Sequence, residues 1–174
     1  MRVLNFKKSF TLTEMLVYVA VLAIIVLAVS SFFLWTTRSN TKTRAMREAL
    51  DNSRRAMEIM SSEIKEAKSI YAPTTTSTQL SLETTKYLPT GEETTYIDFY
   101  LCGTQLCLKK ESQQNPIALT SNRVEVKNLV FSQIVTDSAP SIQINLRIDY
   151  KTEAARPEYQ ASFITTSTIS LRSY

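Results

Sequence analysis

Glu14 is the residue whose type and place most demand a chemical reason. It opens a run, Met15 to Trp35, that holds no charge, no proline and no glycine. A carboxylate in hydrocarbon costs on the order of 2–3 kcal/mol at a bilayer centre and less near the interface. A plain membrane anchor has no use for such a group, and the simplest reading is that it sits among the lipid headgroups. The other reactive candidates are Cys102 and Cys107, which bracket Gly103-Thr104, a dipeptide with hairpin-turn chemistry. A two-residue turn places them diagonally on one face, near the limit of disulfide reach. A four-residue loop sets them directly opposite, and a three-residue loop puts them on opposite faces and forbids the bond. Export into an oxidising space favours a disulfide between them, against two free thiols. The chain has no His, which excludes His-based acid–base chemistry and the usual zinc ligand sets. It also lacks a Gly-rich phosphate loop, and no base is spaced to activate its many Ser and Thr hydroxyls. Neither an enzyme nor a metal or cofactor site is expected.

The length of 174 residues fits one modest domain plus an extension. As a helix, Met15 to Trp35 is roughly 32 Å long at ~1.5 Å per residue, enough to cross a bilayer core of about 30 Å once. No Ala-x-Ala site follows it; the chain continues Trp35-Thr36-Thr37-Arg38, unlike a cleaved secretory signal. The formal charge is +4, but Arg2, Lys7 and Lys8 precede the apolar run and leave a nearly neutral remainder. Its basicity therefore does not argue for nucleic acid. The leading charges fit a cytoplasmic N-terminus, although Arg38, Lys42, Arg44 and Arg47 beyond the other end leave the positive-inside count undecided.

The run Lys7-Lys8-Ser9-Phe10-Thr11-Leu12-Thr13-Glu14-Met15-Leu16-Val17 resembles the type III signal of prepilins: a short basic leader, a small residue, then Phe-Thr-Leu-x-Glu opening a long apolar helix. The resemblance implies that a membrane-embedded prepilin peptidase cuts between Ser9 and Phe10 and methylates the new Phe10 amine. It makes Glu14 the assembly carboxylate, paired with the Phe10 ammonium of a neighbouring subunit inside an apolar filament core. A buried charge is tolerable when paired and costly when single, so the pair acts as a register device. The family normally has Gly where this chain has Ser9. Many major pilins also carry a helix-breaking Pro or Gly within the apolar segment, where this chain reads Ala28-Val29-Ser30-Ser31-Phe32.

Beyond the apolar run, Met46, Leu50, Ser53, Met57, Met60, Ile64 and Ala67 recur at helical spacing, with Ala45, Ala49 and Ala56 beside them. Arg47, Arg54, Arg55, Glu58, Lys65 and Glu66 fill the other faces. The stripe predicts an amphipathic helix that packs on a sheet and stops near Tyr71, because Pro73 disfavours helical geometry at Ala72. Thr36 to Thr43 is a run of poor helix formers. Pro73 to Thr78 reads as a linker. Strands follow at Leu80–Thr84, Tyr96–Leu101, Leu106–Lys110, Val124–Ile134 with a bulge between Val126 and Leu129, and Ile142–Tyr150; a last one begins at Tyr159 and runs to Leu171. The expected fold class is α+β with a type IV pilin-like fold: a long N-terminal helix, half membrane and half amphipathic, packed on a C-terminal antiparallel β-sheet. The expected segments are a leader over 1–9, a transmembrane or filament-core helix over 10–35, an amphipathic helix over 36–72 and a sheet domain over 73–174.

The hairpin from Tyr96 to Leu106 and the ending Phe163-Ile164-Thr165-Thr166-Ser167-Thr168-Ile169-Ser170-Leu171-Arg172 also resemble minor pseudopilins, the J-type of type II secretion and the W-type of type IV pili. The resemblance implies a subunit that assembles into or primes a filament. Its expected partners are the membrane, other pilin or pseudopilin subunits and the prepilin peptidase, with the C-terminal domain outside the cytoplasm. Two rival readings use the same residues. One is a single-pass membrane-anchored binding or sensor domain with no filament role. The other is a DNA-binding pilin of a competence system, using Arg38, Lys42, Arg44, Arg47, Arg54 and Arg55 on phosphate; lipid headgroups or the acidic residues of neighbouring helices account better for that stretch, and nucleic acid is not expected as a partner.

Overall fold

A 55-residue helix, α1 (Leu12–Glu66), is the first element of the computed structural model, which describes residues 11–135, 140–152 and 157–172. The chain divides into two units, Met1–Asn40 and Thr41–Tyr174. In the first, the described residues are helical from Leu12 onward and almost wholly exposed. The threonines that weaken helix propensity here return their hydroxyls to the helix itself. Thr36 Oγ1 donates to Phe32 O at 3.0 Å and Thr37 Oγ1 to Phe33 O at 2.9 Å, the back-bonding by which a mid-helix threonine satisfies its hydroxyl.

In the second unit the helix buries Ala45, Ala49, Asn52, Ser53, Ala56, Met60, Glu63 and Ile64. The buried face is the predicted one through Ala45, Ala49, Ser53, Ala56, Met60 and Ile64, shifted slightly to its alanine side. Met46 is 41% exposed, and Leu50 and Met57 are half-buried. The small side chains of Ala49 and Ala56 are fully buried in the core that the helix shares with the strands. The helix also ends at Glu66, short of the expected Tyr71. Its next residues are taken by a sheet: Lys68 N donates to Glu83 O at 2.8 Å and Tyr71 N to Ser81 O at 2.9 Å. A strand edge that satisfies these backbone groups competes successfully with another helical turn.

The strands are β1 (Ser69–Ile70), β2 (Leu80–Thr84), β3 (Thr95–Cys102), β4 (Gln105–Lys110), β5 (Ile117–Ala118), β6 (Val124–Val135), β7 (Pro140–Tyr150) and β8 (Ser162–Ser170). They form two antiparallel sheets rather than one, five-stranded in the order β1-β2-β3-β4-β5 and three-stranded in the order β6-β7-β8. The register of β6 on β7 shifts between Val126 and Asn128, where the apolar phase of the sequence changes. Tyr159 belongs to a 3-10 turn, Pro157–Tyr159, and not to the last strand. Both sheets and the helix share one core: Ala49, Ala56, Met60 and Ile64 of α1 cluster with Leu82, Ile97, Phe99 and Leu106 of the first sheet and Leu129, Ile144, Leu146 and Ile148 of the second. Thr104 O, at the tip of the β3–β4 hairpin, accepts from Val126 N at 2.8 Å, and Ser77 O accepts from Phe131 N at 2.8 Å. The sheets are thus joined through turn carbonyls that neither ladder uses. The result is α+β, a long N-terminal helix packed on antiparallel sheets, consistent with a type IV pilin fold.

Candidate functional site

Thr11 starts α1. Its hydroxyl accepts from Glu14 N at 3.3 Å, and its carbonyl accepts from Met15 N at 3.2 Å, the work of an N-cap residue. Thr11-Leu12-Thr13-Glu14 has the spacing of a capping box, a signal for the helix start that the apolar pattern alone does not supply. Glu14 lies in the first turn, where a negative charge suits the helix dipole. It is exposed, and among the described residues its carboxylate has no hydrogen bond and no ion pair. Around and beyond it the surface is apolar: Met15, Leu16, Tyr18, Leu22, Ile25 and Phe32 are all exposed, and Trp35 is 67% exposed. This stretch holds a window of mean hydropathy 2.8 with none of it buried, and α1 is the single described helix long and apolar enough to cross a membrane. Ser9 and Phe10, the expected cleavage pair, lie outside the described residues. The arrangement has one chemical capacity, which is to offer a single carboxylate at the head of an apolar helix to a cation from elsewhere.

Residues 4–30 match the family model of the prokaryotic N-terminal methylation motif. This segment is a prepilin-type signal. The match covers Lys7 and Lys8 of the leader, Glu14 and most of the apolar run, and it supports a type IV pilin-like protein. No curated protein and no solved structure gives a significant match to the chain. A prepilin-type signal implies processing by a prepilin peptidase and, in general, membrane insertion and pilin assembly. Proteins that carry it in this way are structural, and with the apolar helix it marks a membrane-anchored envelope protein.

The two cysteines are joined. Gly103, at φ +69°, and Thr104 form a two-residue turn, Cys102 pairs with Gln105 and Tyr100 with Cys107, and the Cys102–Cys107 disulfide spans a Cα–Cα distance of 5.9 Å. The diagonal arrangement is therefore within disulfide reach. So short a loop contributes about 2 kcal/mol in the chain-entropy model. The bond keeps the hairpin tip, with its Thr104 carbonyl, in place against β6.

Two polar pins on α1 escape sequence reading because their partners are distant in the chain. Asn52 Oδ1 accepts from Ser121 N at 2.8 Å while Asn52 Nδ2 donates to Glu48 O at 2.8 Å. Glu63, 8% exposed, accepts from the Tyr87 hydroxyl at 2.9 Å. Tyr87 is held at φ 61° with Lys110 Nζ 3.5 Å above its ring, and Lys86 beside it pairs with Glu66. These contacts fasten the β2–β3 loop over the end of the helix.

The same contacts predict a pH profile. Glu83 is held below the ordinary carboxylate range by the Ser69 hydroxyl at 2.7 Å and then by the Lys68 ammonium at 3.2 Å. For Asp149 burial acts to raise the pKa, but bonds from Arg147 and Ser162 and the charges of Arg147 and Lys127 outweigh it and lower the net value. A carboxyl lowered in the folded state stabilises the fold above its unfolded pKa, and that contribution is lost as pH falls through the folded one. Lys86 is raised by its bond to Glu66, and Tyr87 by burial and then by its bond to Glu63. A raised group stabilises below its unfolded pKa and loses that contribution as pH climbs through the folded value. Thermal unfolding is therefore expected to give a flat Tm between about pH 5 and pH 9, declining below about 4 and above about 10.

Proposed function

We propose that this chain is a minor pilin or pseudopilin subunit that assembles into, or primes, a type IV pilus or type II secretion-like filament through its N-terminal helix. The observation that carries the reading is the Glu14 carboxylate, unpartnered among the described residues at the head of an exposed apolar helix, inside a segment that matches the prepilin-type motif. Processing between Ser9 and Phe10 leaves a methylated Phe10 ammonium at the start of the mature chain, and the Glu14 of an adjacent subunit neutralises it within the filament core. The apolar surface from Leu12 to Trp35 serves twice, against lipid before assembly and against neighbouring helices after it. The hairpin and last strand support a place in the J-type or W-type minor group, with the second unit outside the cytoplasm. In cells that make filaments, shearing and fractionation should place the chain in the filament fraction at low abundance, and its deletion should reduce filament number. Chain confined to the membrane fraction, with filament number unchanged on deletion, would assign it instead to the anchored domains that have no assembly role.

A further inference from the structure

We propose that the second unit binds a phosphoethanolamine lipid headgroup in a cleft at the start of its helix. The cleft has a volume of about 310 Å³ and is lined by Arg44, Ala45 and Glu48 of α1, Arg123 from the β5–β6 loop, Tyr150 at the end of β7 and Tyr159 of the 3-10 turn. That is within the size of sites that hold small molecules. Four separate parts of the chain thus bring two cations, one anion and two aromatic rings to one place.

The charge pattern selects the ligand. Arg44 and Arg123 are exposed, and among the described residues neither guanidinium has an acidic partner. Two guanidinium forks suit a phosphate, which they bind with charge-assisted paired bonds. Glu48 stands beside them, its Oε1 held by Ser121 Oγ at 3.2 Å and Asn52 Nδ2 at 3.3 Å, so the carboxylate is oriented by neutral donors. A simple anion would meet repulsion from it. The Tyr150 and Tyr159 rings lie 6.4 Å apart with planes 16° from parallel, and tyrosine faces attract ammonium groups. Glu48 and the two rings therefore suit a cation, and a simple cation would be repelled by the two arginines. A phosphate with a primary ammonium two carbons away suits the two arginines, Glu48 and the two rings at once.

The source follows from the chain order. Arg44 comes shortly after the apolar run that ends at Trp35, with Arg38 and Lys42 between. Nine residues of chain reach at most about 30 Å, so the cleft's first arginine is within reach of the headgroup layer. The site acts on the membrane-anchored state of the proposed function, before the chain leaves lipid, and holds the second unit at the bilayer surface until extraction.

The test uses the full chain in detergent with equal amounts of phosphatidylethanolamine, phosphatidylglycerol and phosphatidylcholine, read by native mass spectrometry. The wild-type chain should retain phosphatidylethanolamine in preference to the other two. Arg44→Gln with Arg123→Gln should reduce that retention roughly tenfold or more, the effect of losing charge-assisted bonds to the phosphate. Glu48→Gln, which keeps a polar group for Ser121 and Asn52, should shift the preference towards phosphatidylglycerol. Equal retention of all three lipids by the wild-type chain overturns the proposal, as does an unchanged preference in the double variant. Soluble phosphoethanolamine that binds as tightly as the lipid, and displaces it, overturns the lipid as the source. A chain that is absent from filaments yet keeps its phosphatidylethanolamine preference overturns the assembly reading and supports this one.

Discussion

Replacing Glu14 with Leu is expected to leave membrane insertion and folding intact and to remove the chain from filaments. Insertion depends on the apolar run, and Leu at position 14 lengthens that run. The second unit is untouched, since the Glu14 carboxylate makes no hydrogen bond or ion pair among the described residues. Assembly is different. In an apolar core the Phe10 ammonium of the neighbour loses its counter-charge, and stranding one member of a buried pair costs several kcal/mol, about 3–5 kcal/mol where burial is complete. At 1.4 kcal/mol per tenfold, a loss of about 3 kcal/mol already lowers incorporation by roughly a hundredfold. Immunoblotting of sheared filaments and of membranes measures both halves of the prediction. Normal incorporation of the Leu variant would make Glu14 a headgroup-level carboxylate with no role in subunit order.

The second large effect separates two methionines that the sequence presents alike. Met46 and Met60 fall on the same helical stripe, but Met60 is fully buried and Met46 is 41% exposed. Met60→Ala removes a large side chain from the cluster shared by the helix and both sheets and should cost about 2–5 kcal/mol through lost burial and a residual cavity. Met46→Ala removes surface that is already largely in water, and should change stability by less than about 0.5 kcal/mol. Denaturant unfolding of the two variants gives the comparison. Equal destabilisation would mean that the helix packs on the face set by its larger side chains and not on its alanines.

That contrast marks where the sequence is legible and where it is not. Period-two alternation located β2, β3, β4, β6 and β7 closely, and the apolar phase change between Val126 and Leu129 marked the bulge, because sidedness and bulges are written in local hydrophobic order. Gly103-Thr104 identified the β3–β4 turn for the same reason. Which margin of the predicted helix face is buried was not legible. Spacing records which positions are apolar, but not that Met46 stands largely in water while Ala49 and Ala56 are fully buried. The two-residue strands β1 and β5 carry no pattern of their own and exist through their neighbours' edges. Glu63, Tyr87, Asn52 and Ser121 pair across long stretches of chain, and neither local order nor composition connects them. In the candidate site, Glu14 stood out because a lone carboxylate conflicts with the apolar run behind it. Thr11 was legible only through its spacing to Glu14.

The run from Lys7 to Glu14 should work as a prepilin-type signal, and intact-mass measurement of the protein taken from membranes reads out whether it does. The mature chain should begin at Phe10 and be heavier by one methyl group, with Ser9→Gly processed faster because the smaller residue suits a site built for Gly. A chain that retains Met1 to Ser9 in cells with an active prepilin peptidase would contradict it.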